Sequence, residues 1–215
     1  MLIETLAQAQ PGRARSLRCE LVAGQADFRR LGSIEGLRVD LRYAAANNFV
    51  GRNLYSGLDC AWLHREAAQG LEAAVAWLRQ HHPGHTLLVL DALRPHRVQE
   101  ALWQELAGTD LRQYLADPAR GSIHSFGMAV DVALLDPQGA ELDMGSGFDD
   151  FTLLSHPRLE QEHLAQGRLD QIHIANRLVL RQAMLDSGFT GIMSEWWHFQ
   201  FGDMATVREH YLRIE

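Results

Sequence analysis

The 215-residue chain carries 20 Lys and Arg against 27 Asp and Glu, a formal net charge of −7 with histidines neutral. That balance argues against a nucleic-acid partner, because such binding draws on a basic surface this chain lacks in bulk. Hydrophobic residues at 47% and charged residues at 22% are ordinary globular values that exclude wholesale disorder, and no apolar run approaches the roughly 18 residues a membrane span needs.

The start, MLIETLAQAQPGRARSLR, contains an LAQAQ that resembles a cleavage site. It lacks a basic beginning and an apolar core, so no signal peptide is read and a cytoplasmic location is expected. Residues 1–18 read as a loose extension. Asp59 is placed to cap a helix running to about His82, with Leu63, Ala67, Leu71, Ala74, Val75 and Leu78 on one face. His82-Pro83-Gly84 breaks it, and Thr86–Leu90 reads as a buried strand. Asp91 to Arg94 leaves that strand, and Pro95 opens a helix through Val98, Leu102 and Leu106. Met128–Leu135 reads as a second strand, with Asp131 on the face of Ala129 and Ala133, opposite Val130, Val132 and Leu134.

Residues 136–158 form a long Gly- and Asp-rich connection, a length that usually marks function or disorder. Asp170 to Ser187 is a helix closed by Gly188. Trp197, Phe199 and Phe201 alternate with His198 and Gln200 as a third strand, and Asp203 caps a short last helix. With no repeat, no long linker and no regular βαβ alternation, the chain reads as one α+β domain over 1–215. Its central sheet is expected to be mainly antiparallel and flanked by helices. Cys19 and Cys60 lack metal or redox spacing and read as reduced, structurally minor thiols, with a single bridge between them left open.

Three clusters carry candidate chemistry. In Ser122-Ile123-His124-Ser125-Phe126-Gly127-Met128-Ala129-Val130-Asp131, a carboxylate lies mid-strand among small residues, where burial without a partner costs several kcal/mol. His124 folds back beside it if Gly127 makes a turn or bulge. In Glu195-Trp196-Trp197-His198, the acid and the imidazole reach one centre only if the strand begins irregularly near Trp196. In Asp91-Ala92-Leu93-Arg94-Pro95, an arginine emerges between strand and helix. Together His124, Asp131 and His198 offer two imidazoles and one carboxylate, a set that suits one zinc ion with a fourth position for water. Glu195 then serves as general base and Arg94 stabilises the oxyanion of an attacked amide. Each element alone also has a plain structural reading: a His–Asp hydrogen bond, an aromatic core strand, a helix-flanking charge. His81, His82 and His85 read as a solvated loop around the Pro-Gly break.

SIHSFGMAVDVAL, MGSGFDDF and SEWWHF, in that order, resemble the zinc-dependent D-alanyl-D-alanine dipeptidases, relatives of the vancomycin-resistance dipeptidase. LRYAAANNFVG with a later Tyr55, DALRP and NRLVLRQAMLDSGF extend the likeness over roughly 38–201. SxHxxGxAxD and ExWH are shared with zinc D,D-carboxypeptidases and Hedgehog-like domains, and the other segments narrow the likeness to the dipeptidase branch. The resemblance implies an α+β fold of that type, zinc on His124, Asp131 and His198, Glu195 as base and Arg94 on the oxyanion. It also implies that Ser122, Tyr43, Tyr55, Asp91 and Asp149 line a pocket for a small zwitterionic dipeptide. On charge, Asp149 suits the ammonium, Ser122 the carboxylate, and Asp91 an orienting role toward Arg94.

Two departures from the pattern are a short stretch between Leu106 and Gly121, which would open the pocket, and Leu93 in place of a frequent aromatic. The expected activity is hydrolysis of D-Ala-D-Ala. A zinc D,D-carboxypeptidase acting on longer peptides is the alternative, and retention of Glu195 and Arg94 opposes a non-catalytic zinc module. Oligomeric state is open at this stage.

Overall fold

The computed structural model describes residues 15–215. The LAQAQ segment and most of the expected extension lie outside the described residues. In chain order the strands are β1 (Ser16–Leu17), β2 (Phe28–Arg30), β3 (Arg38–Val39), β4 (Trp62–His64), β5 (Thr86–Asp91), β6 (Ala129–Leu135), β7 (Phe189–Gly191), β8 (His198–Phe201) and β9 (Arg213–Ile214). The α-helices are α1 (Arg65–His81), α2 (His96–Glu105), α3 (Glu160–Ala165), α4 (Gln171–Leu185) and α5 (Met204–His210), with short 3₁₀ turns between. A five-stranded sheet in the order β3-β5-β6-β8-β7 is antiparallel except for the β3–β5 edge. This is the mainly antiparallel α+β arrangement expected. Among the described residues no helix is long and apolar enough to cross a membrane.

Residues 16–18 are not loose. Ser16 and Leu17 pair in parallel with Arg213 and Ile214, and the Cys19 N–H donates to the Glu215 carbonyl at 2.9 Å. Asp59 does not cap α1 either. Trp62–His64 pairs with Phe28–Arg30, so the helix starts at Arg65 and the His64 Nδ1 accepts the Glu66 N–H at 3.4 Å. The tertiary pairing of an apolar Trp-Leu step overrides the helical period there. Leu63 is fully buried as a strand residue.

α1 packs on α4 and on the sheet through Ala67, Ala68, Leu71, Ala74, Val75 and Leu78. Gly70, mid-helix, costs about 1 kcal/mol of helix propensity, but a Cβ there would stand 2.7 Å from a Phe201 ring carbon and 2.9 Å from Phe189. The glycine lets the helix backbone rest on those rings. α4 begins after Asp170, whose N–H donates to His173 Nδ1 at 3.0 Å, and Gly188 follows its end at φ +88°.

A second core cluster gathers Phe28, Tyr43, Tyr55, Leu93, Val98 and Leu102 with the free, buried thiols of Cys19 and Cys60. It backs the loops that approach the C-terminal end of β5.

Candidate active site

The site begins with strand register. Asp131 on β6 lies opposite His198 on β8 and, on its other side, opposite Asp91 at the end of β5. Directly paired residues point to one face of a sheet. A bulge between Val89 and Asp91 sets the β5 partner: regular pairing would put Leu90 opposite Asp131, and the extra residue puts the carboxylate there instead. β8 starts at His198, so Glu195 lies in irregular backbone before it, and both side chains line one cavity.

His124 comes from the 3₁₀ turn Ile123–Phe126, which ends at Gly127 with φ +65°. A Cβ on Gly127 would stand 2.7 Å from the His64 amide nitrogen, so only glycine turns the chain back toward β6 here. The His124 Nδ1–H donates to the Ala92 carbonyl at 2.8 Å. A carbonyl only accepts, so this bond leaves the lone pair of Nε2 facing inward.

The inward atoms are His124 Nε2, Asp131 Oδ1 and His198 Nδ1. They are separated by 3.2 Å between the imidazoles, 3.4 Å from His124 to Asp131 and 2.9 Å from His198 to Asp131. Donors sharing one tetrahedral ion at roughly 2.0–2.1 Å lie about 3.3 Å apart. Both the spacing and the donor types therefore fit a single divalent ion, and these three form the one such group found among the described residues. Burial alone would raise the Asp131 carboxyl, but the charges and hydrogen bonds of His124 and His198 hold it well below the usual carboxylate range.

Arg94 is buried and fixed from three sides. Its Nε–H donates to Asp91 at 2.8 Å, its Nη1 to Gln99 at 3.1 Å and its Nη2 to the second oxygen of Asp131 at 3.4 Å. Its guanidinium lies 5.0 Å over the Tyr43 ring. The Tyr55 hydroxyl donates to Asp91. Tyr55 and Asp91 are fully buried and stand outside the cavity wall, behind Arg94. Asp91 stands in the orienting contact with Arg94 expected of it, whereas Tyr55, expected to line the pocket, spends its hydroxyl on Asp91.

The cavity measures about 190 Å³ and is lined by Tyr43, Ser122, Asp149 and Glu195 around Arg94 and the three donors. Asp149 has φ +59° and accepts from the Tyr43 hydroxyl at 3.1 Å through Oδ1, while Oδ2 is buried with no partner. Burial first, then the charge of Asp131, pushes its carboxyl up to about 8 against the pull of Arg94 and Tyr43. Burial likewise raises Glu195 to about 7, with His198 opposing and Asp131 adding to the rise. A carboxyl near neutrality suits an acid–base group, whose efficiency is greatest when its pKa approaches the working pH.

Three further residues take part that the sequence reading did not single out. Gln99 bridges Arg94 and the Ala116 carbonyl. Its signal was a polar residue on the same α2 face as Leu102 and Leu106. Tyr114 and Phe151 stack 5.4 Å apart at the cavity wall, joining the short 106–121 stretch to the Asp149 loop.

Imidazole and carboxylate donors facing a cavity, beside an acid held near neutrality and a buried guanidinium, define a metal-dependent hydrolase. The comparisons with known proteins give the family. The peptidase M15 profile, described as D-ala-D-ala dipeptidase, matches residues 25–215, and the chain belongs to this family. It is similar to a D-alanyl-D-alanine dipeptidase of Escherichia coli K12, 36% identical over 79% of this chain and 81% of that protein. Proteins of the same description are 28% identical in Enterococcus faecalis, over 79% and 88% of the two chains, and 30% identical in Streptomyces coelicolor, over 77% and 86%.

Proposed function

We propose that this protein hydrolyses D-alanyl-D-alanine to two D-alanines, with one zinc ion held by His124, Asp131 and His198. The observation that carries the reading is the convergence of those three donor atoms at a small cavity that also holds Glu195 and an unpartnered oxygen of Asp149. The cavity volume of about 190 Å³ is below the roughly 300–1,000 Å³ of sites for drug-sized ligands, a size that suits a small ligand such as a dipeptide. Family membership and the similar dipeptidases support the same substrate.

A bound zinc ion supplies Lewis acidity toward the scissile carbonyl and the attacking water. The protein's own groups do the rest. Asp149 receives the substrate ammonium, and the Tyr43 hydroxyl fixes the carboxylate's orientation. Glu195 removes a proton from the attacking water and returns it to the leaving amine. Arg94, anchored by Asp91 and Gln99, donates to the carbonyl oxygen as negative charge develops on it. The anchoring matters because a guanidinium that must reorganise during the reaction stabilises less charge. Asp91 and Tyr55 act through Arg94 as positioning residues. Ser122 offers its hydroxyl to the substrate carboxylate.

The test is D-alanine release from D-Ala-D-Ala and from a pentapeptide ending in D-Ala-D-Ala, with and without a chelator, alongside metal analysis. Chelator-sensitive cleavage of the dipeptide alone, at one zinc per chain, is the expected result. Cleavage of the pentapeptide at a comparable rate would replace the dipeptidase with a carboxypeptidase. His124→Ala is expected to lose both metal and turnover.

A further inference from the structure

The cavity contains one charged side chain that the chemistry above does not use. Arg208, on α5, lines it together with Met204. Its Nε–H donates to the Gly121 carbonyl at 3.1 Å and its Nη1 to the Met204 carbonyl at 3.4 Å. The first contact holds the guanidinium against the backbone just before Ser122, and α5 packs on the turn that carries His124. After these two bonds a guanidinium still has free N–H donors on both Nη atoms.

Nothing neutralises this cation among the described residues. Arg94 is paired with Asp91 and Asp131, and Arg177 with Glu160. Arg208 has only burial and the like charge of Arg120 acting on it, and both push its pKa down. Asp149 lines the same cavity, and its Oδ2 is buried with no partner. The cavity therefore offers both an unpartnered carboxylate oxygen and an unpaired guanidinium.

We infer that Arg208 binds the carboxylate of the dipeptide, with the Ser122 hydroxyl beside it, and so selects substrates with a free C-terminal carboxylate over their amides. This rests on the dipeptidase reading and assigns it a second charged contact. A planar fork of N–H donors matches a carboxylate in two-point contact, which neither a hydroxyl nor a lysine ammonium reproduces. Asp149, Arg94 and Arg208 line the same cavity, so a single bound dipeptide meets all three charges. The zwitterion is then read at both ends, and its carboxylate replaces the counter-ion that Arg208 lacks.

The experiment compares wild type, Arg208→Met and Arg208→Lys, each zinc-loaded, on D-Ala-D-Ala and on D-alanyl-D-alaninamide. A hydrogen bond to a charged group contributes roughly 1.5–3 kcal/mol, so Arg208→Met should lose about 10–100-fold in kcat/KM on the acid, mainly through KM. The loss on the amide should be at least about tenfold smaller, and Arg208→Lys should fall between. Equal losses on acid and amide, or no loss on either, would overturn the assignment.

Calorimetric binding of D-alanine and D-alaninamide to the same proteins needs no turnover. Wild type is expected to favour the acid and Arg208→Met to lose that preference. If wild type shows Arg208-dependent binding of D-alanine yet cleaves no D-Ala-D-Ala, the dipeptidase reading falls and the carboxylate site stands. If Arg208→Met keeps the wild-type acid-over-amide ratio, the site is wrong whatever the activity. Arg208→Lys, which keeps the charge, decides the question should the methionine variant fail to fold.

Discussion

At the scale of single residues, Glu195 offers the sharpest prediction. Its carboxyl is held at about 7 by burial, with the charges of Asp131 and Asp149 adding to the rise. As general base it must be ionised, so kcat/KM is expected to rise with pH through the Glu195 pKa. A dication at the neighbouring donors favours the ionised form, which places the acid limb of the zinc-loaded enzyme below 7. Glu195→Gln keeps the shape and removes the base. It should lower kcat by about 10²–10⁴-fold, abolish the acid limb and leave one zinc bound per chain. A variant that retains full turnover, or that loses the metal, would remove Glu195 from this role. Asp149 tests substrate contact in a parallel way: Asp149→Asn should raise KM while zinc stoichiometry stays the same.

At the scale of elements, the Asp149 loop depends on α4. Arg177, fully buried, donates to the Met144 carbonyl at 2.7 Å, the Leu154 carbonyl at 3.0 Å and the Ser146 hydroxyl at 3.1 Å. The Trp196 indole N–H donates to the same hydroxyl at 3.0 Å. One arginine therefore ties the backbone on either side of Asp149 to a helix and leaves Asp149 between those contacts at φ +59°. Arg177→Met leaves Glu160 paired with Arg181 alone and frees three loop acceptors. It is expected to raise KM by tenfold or more, lower Tm, and speed hydrogen exchange across 143–156 while metal affinity changes little. Unchanged exchange in that loop would show that Arg177 does not hold it.

This dependence also marks the boundary of what the sequence makes legible. His124, Asp131, Glu195 and His198 can be read because each sits where a regular pattern is broken by a reactive group, and Gly127 announces the turn between two of them. The irregular start of β8 follows from requiring Glu195 and His198 to meet. The bulge at Leu90 is not legible, because a bulge is a property of two paired strands rather than one segment. The same holds for the Tyr55–Asp91 contact, where residues 36 positions apart turn Tyr55 from a pocket candidate into a support for Asp91, whose own orienting contact with Arg94 was legible. Asp59 misleads for the opposite reason: its local cap signal is sound, but pairing of β2 with β4 claims the next residues. Arg208 reaches Gly121 across 87 positions from a short helix with no periodic signal.

At the scale of the whole molecule, metal and protons compete for the same fold. Without metal, the folded protein holds Asp149 at about 8 and Glu195 at about 7, against roughly 4 for carboxyls in an unfolded chain. Between about pH 4 and 8 the folded state thus binds more protons than the unfolded state, and stability declines as pH rises through that window. Asp131 acts in the other sense. Its depressed carboxyl contributes stability above the ordinary carboxylate range and loses it as acid protonates the group. The metal-free protein should therefore be most stable in mildly acid solution, with Tm falling toward pH 8, and Asp149→Asn should flatten that fall. Metal binding is expected to oppose this slope. The side chains that hold a metal must be free of protons, so affinity grows with pH, and a metal that binds only the folded state stabilises it by RT ln(1 + c/Kd) at free metal concentration c, more as Kd falls. The dication also favours ionised carboxyls nearby, which removes part of the metal-free penalty. The gap in Tm between zinc-loaded and chelated protein is accordingly expected to widen steadily from pH 5 to 8 in calorimetry. A metal-free Tm that rises over this range would mean that Asp149 and Glu195 are not held protonated by burial. A gap that stays constant would mean that zinc binding is not coupled to deprotonation of this site.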